Sequence, residues 1–155
     1  MVLSRVDVDQ AMQVALAEAR AALGHADVPV GAVIIDIASG EVVARAHNTR
    51  ERDNDPTAHA EVLALRAAAQ SRNSWRLDDC ALIVTVEPCP MCAGAAWAAR
   101  IALIALGAAD PKAGASGSLY NLAADPRLNH ETKVVAGVRA DECRALLSEF
   151  FAGRR

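Results

Sequence analysis

Apolar residues stand at Val8, Met12, Ala15, Leu16, Ala19 and Leu23. That spacing predicts an amphipathic helix over 7–23, with Gly24 as its stop. The period then shortens. Val30 to Ile37 is a run rich in β-branched residues and predicts a strand; Ala38-Ser39-Gly40 predicts a turn, and Val42 to Ala46 the second strand of a hairpin. Thr49 to Asp55 is polar and reads as loop. Pro56 and Thr57 open a helix to about Ala69, with Thr57 as its N-cap. Ala81 to Val86 predicts a third strand. Pro88 and Pro90 bracket the start of a helix through about Ala99, since proline's missing N–H is harmless in a first turn. Ile101 to Leu106 predicts a fourth strand and Val134-Val135 a short fifth. Between them lie a glycine-rich loop, Asp110 to Ser118, and an irregular stretch, 119–131. Ala140 to Phe151 closes the pattern as an amphipathic helix. Strands alternating with helices imply an α/β domain with a largely buried sheet.

Composition narrows this picture. The 155 residues suit one domain, 1–155, with a real core. Apolar residues make up 53% and aromatic residues only 3%, so the core is built from Ala, Val, Leu and Ile. Asp7 and Asp9 interrupt any signal-peptide pattern. The most apolar stretch, Cys92 to Ala109, carries Arg100 at its middle, which reads as buried helix plus strand and not as a membrane span. A cytoplasmic protein is expected. The net charge of −3 argues against indiscriminate nucleic-acid binding. It is uneven: residues 1–99 hold 8 basic and 13 acidic groups, and residues 100–155 hold 8 basic and 6 acidic. The C-terminal part is the better candidate to meet phosphates.

The chemistry gathers in His59-Ala60-Glu61 and Pro88-Cys89-Pro90-Met91-Cys92. Cys89 and Cys92, three apart at a helix start, can face one point, and a helix N-terminus favours anionic sulfur. With His59 they make three ligands. A structural zinc site normally closes with four, whereas a catalytic one leaves a position open for water. Glu61, two residues from His59, can share the site if the metal lies off the helix end. A carboxylate there can take a proton from water acidified by zinc to a pKa of about 7, and can return protons to a leaving group. Jointly, His-x-Glu and Pro-Cys-x-x-Cys match the zinc-deaminase signature. A redox Cys-x-x-Cys leaves His59 and Glu61 unexplained. A structural site lacks a nearby fourth ligand, because His25, His47 and His130 are remote in sequence. Cys80 and Cys143 read as small buried hydrophobes.

Further stretches extend the pattern: Val28-Pro29-Val30-Gly31-Ala32-Val33, Asn48, Asp55-Pro56-Thr57-Ala58, Asp110-Pro111-Lys112, Gly117-Ser118-Leu119, Asn129-His130 and Ala140-Asp141-Glu142-Cys143. With them the chain resembles the bacterial tRNA-specific adenosine deaminases from about Ala11 to Phe151. The resemblance implies a cytidine-deaminase-like, three-layer αβα sandwich around a five-stranded mixed sheet. It implies a homodimer, one zinc ion per subunit and no organic cofactor. It implies hydrolytic deamination of adenosine to inosine at the wobble position of a tRNA, an arginine tRNA, bound through its anticodon stem-loop. By the same match His59, Cys89 and Cys92 hold the metal and Glu61 moves the protons. Asn48 and the Ala60 amide meet the flipped base. Asp110, Lys112 and Asn129 lie near the anticodon backbone, and Phe151, Arg154 and Arg155 border the tRNA groove. Leu106 and Ala109 depart from the family, which usually has an aromatic residue at the first and a long or basic one at the second. Two other functions stay open: a deaminase of free guanine, cytosine or a nucleoside, and a zinc-stabilised binding module without turnover.

Overall fold

The structure is a computed structural model and describes residues 7–154. Five strands form one mixed sheet in the order β2-β1-β3-β4-β5: β1 is Gly31–Asp36, β2 Val42–His47, β3 Cys80–Val86, β4 Leu103–Ala108 and β5 Lys133–Val135. β1 runs antiparallel to β2 and β3, whereas β3, β4 and β5 run parallel. The helices are α1 (Val8–Ala22), α2 (Arg50–Asp53), α3 (Ala60–Arg72), α4 (Pro90–Ala98) and α5 (Ala140–Ala152).

Side chains on a strand alternate between faces, and both faces of this sheet are covered. Val33, Ile35, Ala81, Ile83, Leu103 and Ala105 pack with Met12 and Leu16 of α1 and Cys143 of α5. Ala32, Ile34, Leu82, Val84, Ile104 and Leu106 pack with Ala60, Ala64, Leu65 and Ala68 of α3 and Ala96 of α4. The result is the expected three-layer αβα sandwich. Each buried Leu or Ile side chain contributes about 1.5–3 kcal/mol of transfer free energy. The alanines do a different job: they let the helices lie close on the sheet.

The structure corrects several local expectations. Residues 50–53 form a helical turn inside the stretch read as loop. Its Glu51 and Arg52 amides donate to the buried Asp27 carboxylate at 2.6 and 3.1 Å, and the Arg50 amide to Asn48 Oδ1 at 3.1 Å. Thr57 does not cap α3. Its amide and hydroxyl both donate to Asp55 Oδ1 at 2.8 Å, and the helix starts three residues later with His59 at the N-cap. Gly24 sits inside a short 3₁₀ turn, Leu23–His25, and Ala26 supplies the left-handed residue that ends it. β4 begins at Leu103, not Ile101. Arg100 takes φ +64°, the Ile101 amide closes onto Ala96, and the Ile101 carbonyl accepts from His130 and Thr132 instead of pairing in the sheet.

Candidate active site

α3 and α4 bring their N-termini together at the C-terminal end of β3, the usual location of ligands in open α/β sheets. His59 and Cys89 each occupy the N-cap position of their own helix in extended conformation. Cys92 lies in the first turn of α4 and is buried. His59 Nδ1 stands 3.6 Å from Cys89 Sγ and 3.4 Å from Cys92 Sγ. All three donor atoms lie within 4.8 Å of one another.

These residues fit a zinc ion. A tetrahedral centre with ordinary Zn–S and Zn–N bonds spaces its sulfur and nitrogen ligands roughly 3.6 Å apart. Among the described residues no other group of three His, Cys, Asp or Glu donors converges in this way. The electrostatics agree. A hydrogen bond with Cys92, supported by His59, brings the Cys89 thiol down to about 4. That same contact, burial and the nearby Glu61 carboxylate push the Cys92 thiol up. Burial also raises Glu61, which is 4% exposed. Two sulfurs and a carboxylate around one imidazole repel one another as anions, and a divalent cation removes that conflict.

A cavity of about 370 Å³ opens over this cluster. His59, Ala60, Glu61 and Cys89 contribute to its lining. As first residue of α3, Ala60 carries one of the four N–H groups that a helix leaves without an internal partner. Asn48 lies on another wall and is largely committed already: its Nδ2 donates to the Val28 carbonyl at 3.3 Å and its Oδ1 accepts from Arg50. One amide hydrogen remains for a ligand.

Asp110 also lines the cavity. Its carboxylate accepts from the Lys112 and Ala113 amides at 3.0 and 3.2 Å and so shapes the turn that follows. Phe151 lines the cavity yet stays 48% exposed, so α5 flanks the mouth without covering it. Lys112, Asn129 and Arg154 are exposed and lie outside the lining. The Arg154 guanidinium stacks over Phe150 at 3.7 Å. Arg155 lies outside the described residues. The structure adds Arg50, Glu87 and Leu147 to the cavity wall. Nothing local in the sequence marks Glu87 or Leu147 as lining residues.

The family profile of the cytidine and deoxycytidylate deaminase zinc-binding region matches residues 6–108. The chain belongs to that family. It is 46% identical to the tRNA-specific adenosine deaminase of Bacillus subtilis over 90% of its own length and 86% of the relative's. A solved structure from work on A-to-I editing by tRNA:A34 deaminases at the wobble position superposes with a TM-score of 0.83. The identity there is 40%, covering 89% of this chain and 99% of that one. A guanine deaminase from Nitrosomonas europaea is 25% identical, with a TM-score of 0.80, over 95% of this chain and 86% of that one. Among the described residues no helix is long and apolar enough to cross a membrane.

Proposed function

We propose that this chain is a zinc-dependent hydrolase that deaminates adenosine to inosine at the wobble position of a tRNA, an arginine tRNA by the sequence resemblance. The carrying observation is Glu61, a buried carboxylate beside a three-ligand His-Cys-Cys cluster in the lining of an open cavity. His59, Cys89 and Cys92 would hold one zinc ion per subunit, and zinc bound there supplies an acidified water. Glu61 would take a proton from the attacking water and pass it to ring N1 of the purine as the C6–O bond forms. Glu61 would then take the remaining hydroxyl proton at C6 and give it to the amine, so that the C6–N6 bond breaks and ammonia leaves. C6 keeps the oxygen. A carboxylate beside the attacking water can both accept and release protons. The Ala60 amide and the spare Asn48 N–H orient the base.

The open mouth beside Phe151 favours a base presented on a polymer. A free base would be better served by a cavity that closes. An anticodon loop presents unpaired bases that are cheaply extruded. The identity to the Bacillus subtilis relative supports the same reading. We assign the exposed Lys112, Asn129 and Arg154 to the tRNA surface around the mouth, and Arg155 with them by the sequence resemblance alone.

The reading includes a single domain spanning the chain, a cytoplasmic location, a homodimer and no organic cofactor. An apolar stripe on α4 supports the dimer. Met91 and Ala98 are exposed, Gly94 and Ala95 are half-buried between them, and a Cβ on Gly94 would touch nothing within 4 Å. A monomer by light scattering at micromolar concentration would count against it.

The test is inosine formation in an arginine-tRNA anticodon stem-loop carrying wobble adenosine, with free adenosine, guanine and cytidine in parallel. Inosine in the stem-loop alone is expected. Turnover of a free base with the stem-loop untouched would keep the chemistry and remove the tRNA assignment. Glu61→Ala should retain zinc and fold while losing turnover by about 10²-fold or more; full activity in that variant would sink the mechanism.

A further inference from the structure

Glu87 ends up 4% exposed just beyond β3, outside the metal-binding cluster. Among the described residues no Lys, Arg or His forms an ion pair with it. A buried carboxylate without a cation is costly unless donors surround it, and here they all come from one loop. Oε1 accepts from the Asp110 amide at 3.1 Å and from the Ser118 hydroxyl. Oε2 accepts from the Ser116 and Ser118 amides, both at 3.0 Å.

Gly114 supplies an independent sign of the same contact. A Cβ there would lie 2.3 Å from Glu87 Cδ and 2.4 Å from Oε2, so any larger residue would push the carboxylate off its present position under the loop. The loop places Asp110 and Ala113 in the cavity wall. The metal-binding residues hang instead on the starts of α3 and α4.

We propose that Glu87 is a positioning residue that clamps the 110–118 loop and so fixes the cavity wall against which the substrate docks. This rests on the deaminase reading above. Glu87 lines the cavity but supplies none of the three metal-binding donors, and both its carboxylate oxygens are engaged by the loop. Releasing the loop therefore weakens substrate binding and leaves the proton chemistry in place.

Three variants test it. Glu87→Gln keeps the volume but turns an amide nitrogen toward N–H donors. Gly114→Ala drives a methyl group into the carboxylate. Glu87→Asp keeps the charge one methylene further back. Steady-state kinetics on the wobble-adenosine stem-loop, zinc content and amide hydrogen exchange across 110–118 are measured for each. Glu87→Gln and Gly114→Ala should raise KM about tenfold or more, hold kcat within about threefold and retain zinc. Exchange at Asp110, Ser116 and Ser118 should accelerate, and Glu87→Asp should restore part of both effects. A fall in kcat with KM unchanged overturns the proposal, as does unaltered exchange in the loop. If Glu87→Gln fails to fold, the other two variants decide by the same readouts. If the wild-type protein leaves the stem-loop untouched, the tRNA assignment fails, and the exchange measurement alone settles the clamp.

Discussion

Gly31, at the start of β1, lies directly beneath α1. A Cβ at this position would sit 1.9 Å from the Ala15 carbonyl oxygen and 2.6 Å from the Ala19 amide nitrogen. Ordinary non-bonded contacts of this kind are roughly 3.3 Å or longer, so the Gly31→Ala methyl forces α1 back by more than about 1 Å. No rotamer change relieves the clash, because both obstacles are backbone. The retreat also strips contacts from Met12 and Leu16, which α1 buries against Val33, Ile35 and Ile83. Overpacking in cores usually costs about 1–3 kcal/mol, and a clash with rigid backbone belongs at or above the top of that range. A loss of about 3 kcal/mol lowers Tm by roughly 6–12 °C in a domain of this size. Thermal and urea unfolding followed by far-UV circular dichroism, at fixed protein and zinc concentration, measures it. Gly24→Ala is the matched control. A methyl there meets nothing within 4 Å, and the change should be neutral or slightly stabilising. A Gly31→Ala variant that unfolds within about 1 kcal/mol of the wild type would refute the close seating of α1 on β1.

Asp27→Asn should cost about 1–3 kcal/mol at pH 7 by weakening the acceptor of the Glu51 and Arg52 amides. Burial works to raise the Asp27 carboxyl, but those two amides and His25 together hold it below its ordinary value. Its contribution is therefore complete above the unfolded carboxyl's pKa and disappears as pH falls through the lower folded value; urea midpoints of the two proteins should converge below about pH 4. Thr57→Ala should leave the stability of α3 within about 0.5 kcal/mol of wild type in urea unfolding, because the Thr57 hydroxyl serves Asp55 and not the helix end. Burial, the leading cause at both, pushes Cys80 up to about 12 and Cys143 up to about 11. In the native protein neither thiol should react with a disulfide reagent at pH 8, and both should react in denaturant. Chelation of zinc, or Cys92→Ser, should lower Tm, and titrating zinc back should restore the chelated wild type in proportion to the logarithm of free metal.

The readable parts of the fold were those with a local cause. The near-continuous apolar runs from Val30 to Ile37 and from Ala81 to Val86 follow from strands covered on both faces, and the helical spacing from Val8 to Leu23 follows from one buried stripe. The helical turn at 50–53 was hidden because its acceptor, Asp27, is more than twenty residues away in sequence. β4 was misplaced because Arg100 adopts a conformation that glycine more often supplies, while Gly107 reads as a break inside a strand that continues to Ala108. The candidate site divides in the same way. His59, Glu61, Cys89 and Cys92 stand in two short motifs, since converging helix starts need only local spacing. Glu87, Arg50 and Leu147 reach the cavity through tertiary placement that spacing does not encode.

That division has a physical basis. Proton transfer tolerates little positional error, and a helix start fixes a side chain through the rigid body behind it. The metal cluster and Glu61 therefore sit on α3 and α4, whose own bodies are buried against the sheet. The surface that meets a large substrate must instead be irregular, and irregular backbone leaves N–H groups that need acceptors. Here two buried carboxylates supply them. Asp27 takes the amides of the segment just after Asn48, and Glu87 takes those of the segment that begins at Asp110. Each acidic group lies outside the proposed proton path, yet each holds the backbone that carries a wall residue. Substitutions at Asp27 and Glu87 should therefore alter the recognition of substrate more than the chemistry performed on it.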